Sequence, residues 1–239
     1  DDLREIPILV SDGGDGSFGS GDYFLFYGES PHGISYDTAN NRFTHTYNIY
    51  SDESVYFITP TPGIGEKKRI QTADNEDLVE NVTVHDFQFF DFYEADMVNL
   101  CESGKTWFGD RFDATLTHSY PLRLPGTPTG AGQISVCAAS SATTTSAFQV
   151  SVNQNSIGSI AVGPIRGSIV CINTGSLPLG ATSRDLNVAL TYSKPTVSSA
   201  GYLDWIEVNI PCTLALRDGQ SASHATRGPY VRDALGRLA

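Results

Sequence analysis

The residues Val82-Thr-Val-His-Asp-Phe-Gln-Phe-Phe-Asp-Phe-Tyr93 decide the fold class of this chain. Successive side chains of a β-strand point to opposite faces of the sheet. The even positions from Val82 to Phe92 would therefore share one face, and the odd positions from Thr83 to Tyr93 would share the other. Aromatic side chains occur on both faces, which favours a strand that is covered on both sides. The segment predicts a buried strand inside a β protein.

The residues on the C-terminal side continue this pattern. Short runs rich in β-branched and aromatic residues alternate with clusters of Gly, Pro, Asn and Ser, which are typical of turns. Strands are predicted at residues 112–124, 134–138, 148–152, 159–162, 168–172, 186–192 and 202–209. Several short strands of even spacing indicate a sandwich or a jelly roll.

The residues on the N-terminal side also favour strands, here with more aromatic and acidic side chains. Strands are predicted at residues 3–10, 23–27, 43–50 and 54–59, and a short helical turn at residues 94–101. The predicted fold class is all-β with two β domains. Residues 1–102 form an acidic, aromatic-rich β domain, and residues 103–215 form a jelly-roll-like β-sandwich. Residues 216–239 are predicted to be an irregular or short helical tail.

The charge of the chain is strongly asymmetric. The formal net charge is −12, and residues 1–100 hold 19 acidic and 5 basic side chains, whereas residues 101–239 hold 8 and 10. The acidic half would repel a phosphate backbone, which argues against nucleic-acid binding. Solubility explains most of these charges, and a cation site or a basic partner is the alternative.

The apolar segments of the chain are short. No stretch approaches the ~20 apolar residues that span a bilayer, so no transmembrane segment is predicted. The chain opens with Asp-Asp-Leu-Arg, which fits a mature or trimmed protein without its signal peptide.

The chain contains four cysteines, Cys101, Cys137, Cys171 and Cys212. None of them is spaced as Cys-x-x-Cys, which argues against a zinc site. An even count permits disulfides in an oxidising compartment. Cys137 and Cys171 lie in β-like apolar runs, so they are candidates for pairing if their strands are neighbours. Buried free thiols that behave as small hydrophobic side chains are the alternative.

The loop Ser11-Asp-Gly-Gly-Asp-Gly-Ser-Phe-Gly-Ser-Gly-Asp22 has the outline of a calcium loop. Asp15, Gly16 and Asp22 take the fifth, sixth and twelfth positions of that pattern, where Ca²⁺ needs carboxylate oxygens and the chain needs a sharp turn. Ser11 and Gly13 replace two of the usual ligands. We predict Asp15 and Asp22 as calcium ligands, with a Gly-rich turn stabilised by its own Asp side chains as the alternative. No other cofactor is predicted.

No catalytic residue is predicted in this chain. A nucleophilic cysteine needs an oriented base within hydrogen-bond reach. The histidines His32, His45, His85 and His118 are scattered, and nothing in the sequence places one of them beside Cys101 or another cysteine. Trp107 is predicted to fill the interface between the two blocks of the chain, residues 1–102 and 103–215, with stacking on a sugar as the alternative.

The two blocks meet at Glu94-Ala-Asp-Met-Val-Asn-Leu-Cys-Glu-Ser-Gly-Lys-Thr-Trp-Phe-Gly-Asp110. This segment resembles the junction in the N-terminal region of gingipain-like cysteine peptidases of the PorU sortase type, which belong to the type IX secretion system. Asp15–Gly28, Phe148–Asn153 and Leu203–Asn209 also resemble that region, and the resemblance covers most of residues 2–210. The residues after Cys212 depart from the family's usual continuation.

The resemblance implies a non-catalytic N-terminal region that acts as a scaffold or presents cargo and partners. The family's nucleophilic Cys and general-base His belong to a caspase-like domain that follows this region, so no catalytic residue is carried over. The parent protein is then expected to be a cell-surface or outer-membrane enzyme that removes C-terminal secretion signals from type IX cargo. The implied partners are the following catalytic domain, secreted cargo proteins and an outer-membrane partner.

Two other functions remain open on the sequence alone. A carbohydrate- or lipopolysaccharide-binding β-sandwich module would carry a row of exposed aromatic side chains on one sandwich face. An inhibitory propiece of a secreted gingipain-like protease would block its peptidase in trans.

Overall fold

The computed structural model of the chain describes residues 4–59, 67–71, 84–100, 102, 104–180, 183–214, 216–217 and 220–221. All of the regular secondary structure in these residues is β-strand, so the predicted all-β class is confirmed. The described part of the chain contains no helix with the length and apolarity that a bilayer span requires.

Two antiparallel sheets form a β-sandwich. Their strands are β5 (Asp86–Glu94), β6 (Arg111–Phe112), β7 (Thr117–Arg123), β8 (Gly132–Ser140), β9 (Ser146–Val152), β10 (Asn155–Val162), β11 (Cys171–Leu179), β12 (Asp185–Ser193) and β13 (Gly201–Thr213). The first sheet has the strand order β10-β9-β12-β7. The second has the order β11-β8-β13-β5, with β6 paired to one end of β13.

The core of the sandwich lies between the inner faces of these sheets. Alternate residues of both sheets contribute to a single cluster, which includes Val136 and Val208 from one sheet and Phe148 and Leu190 from the other. Because aligned sheets interdigitate their inner side chains, this cluster supplies most of the burial that stabilises the fold.

The strand β5 has both faces covered, as the sequence predicts. Phe87 and Phe89 pack into the sandwich core, whereas Phe90 and Phe92 lie on the outer face and contact residues of the N-terminal block. The division of the chain into domains at residue 102 remains a prediction. The sheet itself crosses that position, because β5 pairs with β13 from Trp205↔Glu94 to Thr213↔Asp86.

The described strands of the N-terminal block form two β-hairpins. The strands β1 (Ile8–Ser11) and β2 (Tyr23–Phe26) form one hairpin, and β3 (Gly33–Asp37) and β4 (Arg42–Thr46) form the other. The strand β3 is absent from the sequence-based prediction. Residues 54–59 were predicted as a strand, and they pair with no other strand in the described residues.

The cysteine pairing hypothesis is wrong, because Cys137, Cys171 and Cys212 are free thiols. The strands β8 and β11 are neighbours, but Cys137 lies opposite Thr174 and Cys171 lies opposite Ser140. An offset of three positions places the two side chains on opposite faces of the sheet.

The predicted helical features fall partly outside the described residues. Residues 95–100 form no helix, and the segment from Val98 is instead closed by a β-bridge to Phe108. In the tail, β14 (Leu216–Arg217) pairs with β15 (Gln220–Ser221). The predicted helical turn near residues 230–239 lies outside the described residues, as does Cys101.

Candidate functional site

The outer face of β13 carries an unusual row of polar side chains. Ile206, Val208 and Ile210 point into the core, so the residues between them point outwards. Those residues are Glu207 and Asn209, and both are almost fully buried. A buried carboxylate or amide is costly unless it is hydrogen-bonded, so each side chain must have a partner above the sheet.

The partner is the backbone and one side chain of β4. The Phe43 N–H donates to Asn209 Oδ1 at 2.7 Å, and Asn209 Nδ2 donates to the Phe43 carbonyl at 3.0 Å. The His45 N–H donates to Glu207 Oε1 at 2.9 Å. These two side chains therefore satisfy backbone groups on the other edge of β4, where no strand pairs with it among the described residues, and they fix the hairpin of β3 and β4 on the sheet.

His45 is the centre of this contact. Its Nδ1 lies 2.8 Å from Glu207 Oε1, and its Nε2 lies 2.5 Å from Glu94 Oε2. The ring stacks on Phe92 with a centroid distance of 4.3 Å. Burial lowers the pKa of His45, but the hydrogen bonds to Glu207 and Glu94 outweigh it and raise the pKa to about 9. His45 is thus an imidazolium held between two carboxylates at neutral pH.

A β-bulge places a third carboxylate next to this cluster. The register between β13 and β8 shifts between Leu203 and Trp205, which leaves Asp204 without a position in the ladder. Burial, together with Glu94 and Asp96, raises the pKa of Asp204 to about 6, although the Cys137 thiol and His45 act in the opposite direction. Burial also raises the pKa of Cys137 to about 12.

The segment 94–110, which joins the two blocks and is called the joint below, packs beside the same part of β13. The Gly109 N–H donates to the Leu203 carbonyl at 2.7 Å, and the Leu203 N–H donates to the Asp110 carbonyl at 3.0 Å. A side chain at Gly109 would put its Cβ 2.8 Å from the Ala95 carbonyl oxygen, so the Trp-Phe-Gly-Asp sequence needs glycine there. This packing fixes Trp107 beside the outer face of β13.

A cavity of about 330 Å³ lies between β4, the joint and the outer face of the sheet. It is lined by both tryptophans of the chain, Trp107 and Trp205, and each of them is half-buried. Charged side chains also line it, namely Arg42, His45, Glu94, Asp96, Lys105, Asp204 and Glu207. The cavity thus combines two indole faces with several hydrogen-bond donors and acceptors.

The predicted calcium ligands Asp15 and Asp22 lie on the loop between β1 and β2, away from this cavity. Asp15 Oδ1 accepts from the Ser17 N–H at 2.9 Å, and Asp22 Oδ2 accepts from the Gly19 N–H at 2.5 Å. No group of three or more His, Cys, Asp or Glu side chains is arranged around a metal position within the described residues. Calcium binding by this loop stays a prediction.

The four histidines among the described residues occupy unrelated places. His32 stacks on Tyr47 with a centroid distance of 4.2 Å, and His118 packs edge-on against Phe112 at 4.6 Å. His85 is exposed just before β5. His32 also lies 3.5 Å from the exposed carboxylate of Asp52. Among the described histidines, only His45 has both ring nitrogens held by carboxylates.

The sequence pattern does not predict the cluster around His45. Two of its signals were present: the pair Glu94/Asp96 at the end of an apolar strand, and the polar positions in Leu203-Asp-Trp-Ile-Glu-Val-Asn209. A buried strand that places Glu and Asn at alternate positions needs partners above the sheet. The identity of the partner is not local information, because His45 and Glu207 are 162 residues apart.

The fold is that of a β-sandwich with the hairpin of β3 and β4 packed on one sheet. No protein-family model matches the chain. No curated protein matches it in sequence.

One solved structure matches nearly the whole chain. The dimeric latent PorU of Porphyromonas gingivalis aligns with 90% of this chain with a TM-score of 0.62 and 18% sequence identity. The match spans only 20% of the PorU chain. At this identity the likeness shows a shared fold, and the chain corresponds in length to about a fifth of that protein.

Carbohydrate-binding modules match about half of the chain. A CBM36 module in complex with calcium and xylotriose aligns with 49% of this chain and 98% of its own, with a TM-score of 0.35 and 21% identity. A family 35 carbohydrate-binding module from Clostridium thermocellum aligns with 51% of this chain and 90% of its own, with a TM-score of 0.34 and 10% identity.

Proposed function

We propose that this chain is a non-catalytic N-terminal module of a gingipain-like cysteine peptidase of the PorU sortase type. In this role it is a scaffold for the catalytic domain and helps to present cargo to it. The parent enzyme would remove C-terminal secretion signals from type IX cargo at the bacterial cell surface. The module itself would then be extracytoplasmic.

The observation that carries this proposal is the match to PorU. It covers 90% of the chain with a TM-score of 0.62, so it extends well beyond the sandwich strands of residues 86–213. A sandwich alone is shared by many unrelated proteins, so the extent of the match beyond it is the more specific part.

The chemistry of the described cysteines and histidines is consistent with a non-catalytic role. A nucleophilic cysteine must be deprotonated by a base. Burial raises the pKa of Cys137 to about 12, and it raises the pKa of Cys212 as well. The imidazole of His45 is engaged by carboxylates on both sides, so it is not available as a base for a thiol.

The hairpin of β1 and β2 supports a docking role. Both of its faces are exposed: Tyr23 and Leu25 on one face are 51% and 53% exposed, and Phe24 and Phe26 on the other are 37% and 40% exposed. A two-stranded ribbon whose two faces are both partly exposed among the described residues is marginal in water, and a large exposed apolar patch marks an interaction site. We assign this hairpin as the surface that contacts the following catalytic domain of the same protein.

Deletion of the module from the full-length protein tests this function. We expect uncleaved cargo to accumulate in cells that make the remaining protein at normal abundance. Full cargo maturation without residues 1–214 would contradict a scaffold role. The propiece alternative makes a different prediction, since the chain added in trans would then inhibit the active peptidase.

A further inference from the structure

The cavity beside His45 contains the only two tryptophans of the chain. Trp205 follows the bulge in β13, and Trp107 is held next to β13 by the joint, so both indoles sit on backbone that is fixed by the sandwich. Each indole retains an exposed part. An aromatic face that is rigid and partly wet contacts the C–H face of a ligand at little cost in conformational entropy.

The polar groups of the cavity are mixed in sign. Its carboxylates are Glu94, Asp96, Asp204 and Glu207, and its cationic groups are Arg42, Lys105 and the protonated His45. Four negative and three positive groups nearly cancel, so the cavity has no strong preference for an anion or a cation. Hydroxyl groups of a ligand both donate and accept, and they suit such a mixture better than a charged group does.

Two buried polar atoms of the cavity-lining residues, Arg42 Nε and Asp96 Oδ2, have no hydrogen-bond partner among the described residues. Asp96 Oδ2 is buried from solvent, and no hydrogen bond to it is made by the described residues. Asp96 follows β5 at the point where the chain enters the joint, and it lines the cavity. A buried acceptor without a partner is costly, and a ligand hydroxyl would satisfy it.

We propose that this cavity binds a neutral sugar unit of a glycan. The sugar places a C–H face against the indoles of Trp107 and Trp205, and its hydroxyls donate to Asp96 and Asp204 and accept from Lys105. The cavity volume of about 330 Å³ fits a small ligand of this kind. The site does not depend on the scaffold role, because it uses neither the exposed hairpin nor a second domain.

Intrinsic fluorescence gives a direct test, because both tryptophans of the 239-residue chain line the cavity. The folded chain is titrated with neutral gluco-, manno- and galacto-oligosaccharides, with a sialylated trisaccharide and with oligolysine. We expect a saturable fluorescence change with at least one neutral oligosaccharide and a weaker response to both charged probes. No saturable response to any neutral probe at millimolar concentration would overturn the proposal, as would a stronger response to oligolysine.

Variants separate binding from folding. Trp107→Ala and Asp96→Asn are each expected to weaken binding of the responding sugar by about tenfold or more. Asp185→Asn is the matched control, since Asp185 is an exposed carboxylate on the other sheet, and it should bind as the wild type does. Far-UV circular dichroism establishes that each variant is folded. If Trp107→Ala does not fold, Asp96→Asn decides the matter, and wild-type affinity in that variant overturns the proposed site.

Discussion

Glu207 Oε1 accepts two hydrogen bonds from His45, one from its backbone N–H at 2.9 Å and one from its Nδ1 at 2.8 Å. The side chains are only 3% and 4% exposed. This single oxygen therefore joins the hairpin of β3 and β4 to β13, the longest of the sandwich strands. Glu94 is hydrogen-bonded to the other ring nitrogen, so carboxylates from two neighbouring strands, β5 and β13, bind the same imidazole.

Replacement of His45 by alanine is expected to destabilise the protein by about 3–5 kcal/mol. The loss is large because two carboxylates would remain buried without their shared cation. Urea denaturation measures the change in the free energy of unfolding.

His85→Ala is the matched control for this prediction. His85 is exposed, and a substitution at such a position usually changes stability by less than about 0.5 kcal/mol. A change in His45→Ala no larger than that of the control would mean that the buried cluster does not stabilise the hairpin.

The stability of the protein should also depend on pH through His45. Its pKa is about 9 in the folded state, above the value of about 6.5 expected for an unfolded chain. The folded state therefore binds a proton more tightly, and this contribution is fully present below pH 6.5 and is lost as the pH rises through 9. The measurement is the free energy of unfolding from pH 6 to pH 10.

Glu207→Gln separates this effect from other titrations in the same range. The variant removes one of the two carboxylates that raise the pKa of His45, so the decline in stability towards pH 10 should be smaller than in the wild type. Equal slopes in the two proteins would show that His45 does not titrate as the contacts with Glu207 and Glu94 require.

Local sequence pattern was sufficient to predict most strands of the sandwich. The alternation from Val82 to Tyr93 predicted a strand with two covered faces, and β5 has both faces covered. The strand β3 was missed because it is short: its side chains Ile34 and Tyr36 give only one repeat of the alternation. Its hairpin is closed by a turn in which Asn41 has a φ of 51°, a conformation that Asn tolerates and that carries little signal.

Tertiary pairing explains what the sequence did not predict. Residues 54–59 have strong β propensity, but propensity does not supply a neighbouring strand, and no strand is assigned to this segment in the described structure. The cluster of His45, Glu94 and Glu207 depends on the register of β5 against β13 and on the place where β4 lies across them. Neither quantity is encoded in a short window of sequence.

The three described thiols should differ in reactivity. Burial raises the pKa of Cys137 and of Cys212, whereas Cys171 is partly exposed. Because the thiolate is the reactive form, a maleimide at neutral pH should label Cys171 at least tenfold faster than the other two. Peptide mapping by mass spectrometry measures the rates, with labelling in urea as the control for intrinsic reactivity. Equal rates for Cys137 and Cys171 in the native protein would contradict this burial.

The calcium hypothesis for the loop of residues 11–22 predicts a metal-dependent melting temperature. Calcium bound to the folded state raises the melting temperature, and EDTA lowers it again. Asp15→Ala and Asp22→Ala should each abolish the response, while Asp185→Ala should retain it. A melting temperature that is indifferent to both reagents in the wild type would leave the hydrogen-bonded turn as the function of these aspartates.

The exposed hairpin of β1 and β2 gives the last prediction, which concerns the whole parent protein. If the catalytic domain covers this hairpin, amide hydrogen exchange at residues 23–26 should be slower in the full-length protein than in the 239-residue chain alone. Tyr23→Ser and Leu25→Ser should each weaken that protection, because burying such a side chain contributes about 1.5–3 kcal/mol. Val197→Ser is the matched control, since Val197 is apolar, 94% exposed and outside the hairpin. Equal exchange in the two proteins would show that no other domain covers the hairpin.

Tyr23→Ser should also slow cargo maturation in cells while the variant stays at normal abundance, and Val197→Ser should not. If Tyr23→Ser loses its protection against amide hydrogen exchange but still matures cargo at the normal rate, docking of the hairpin is not required for cargo maturation.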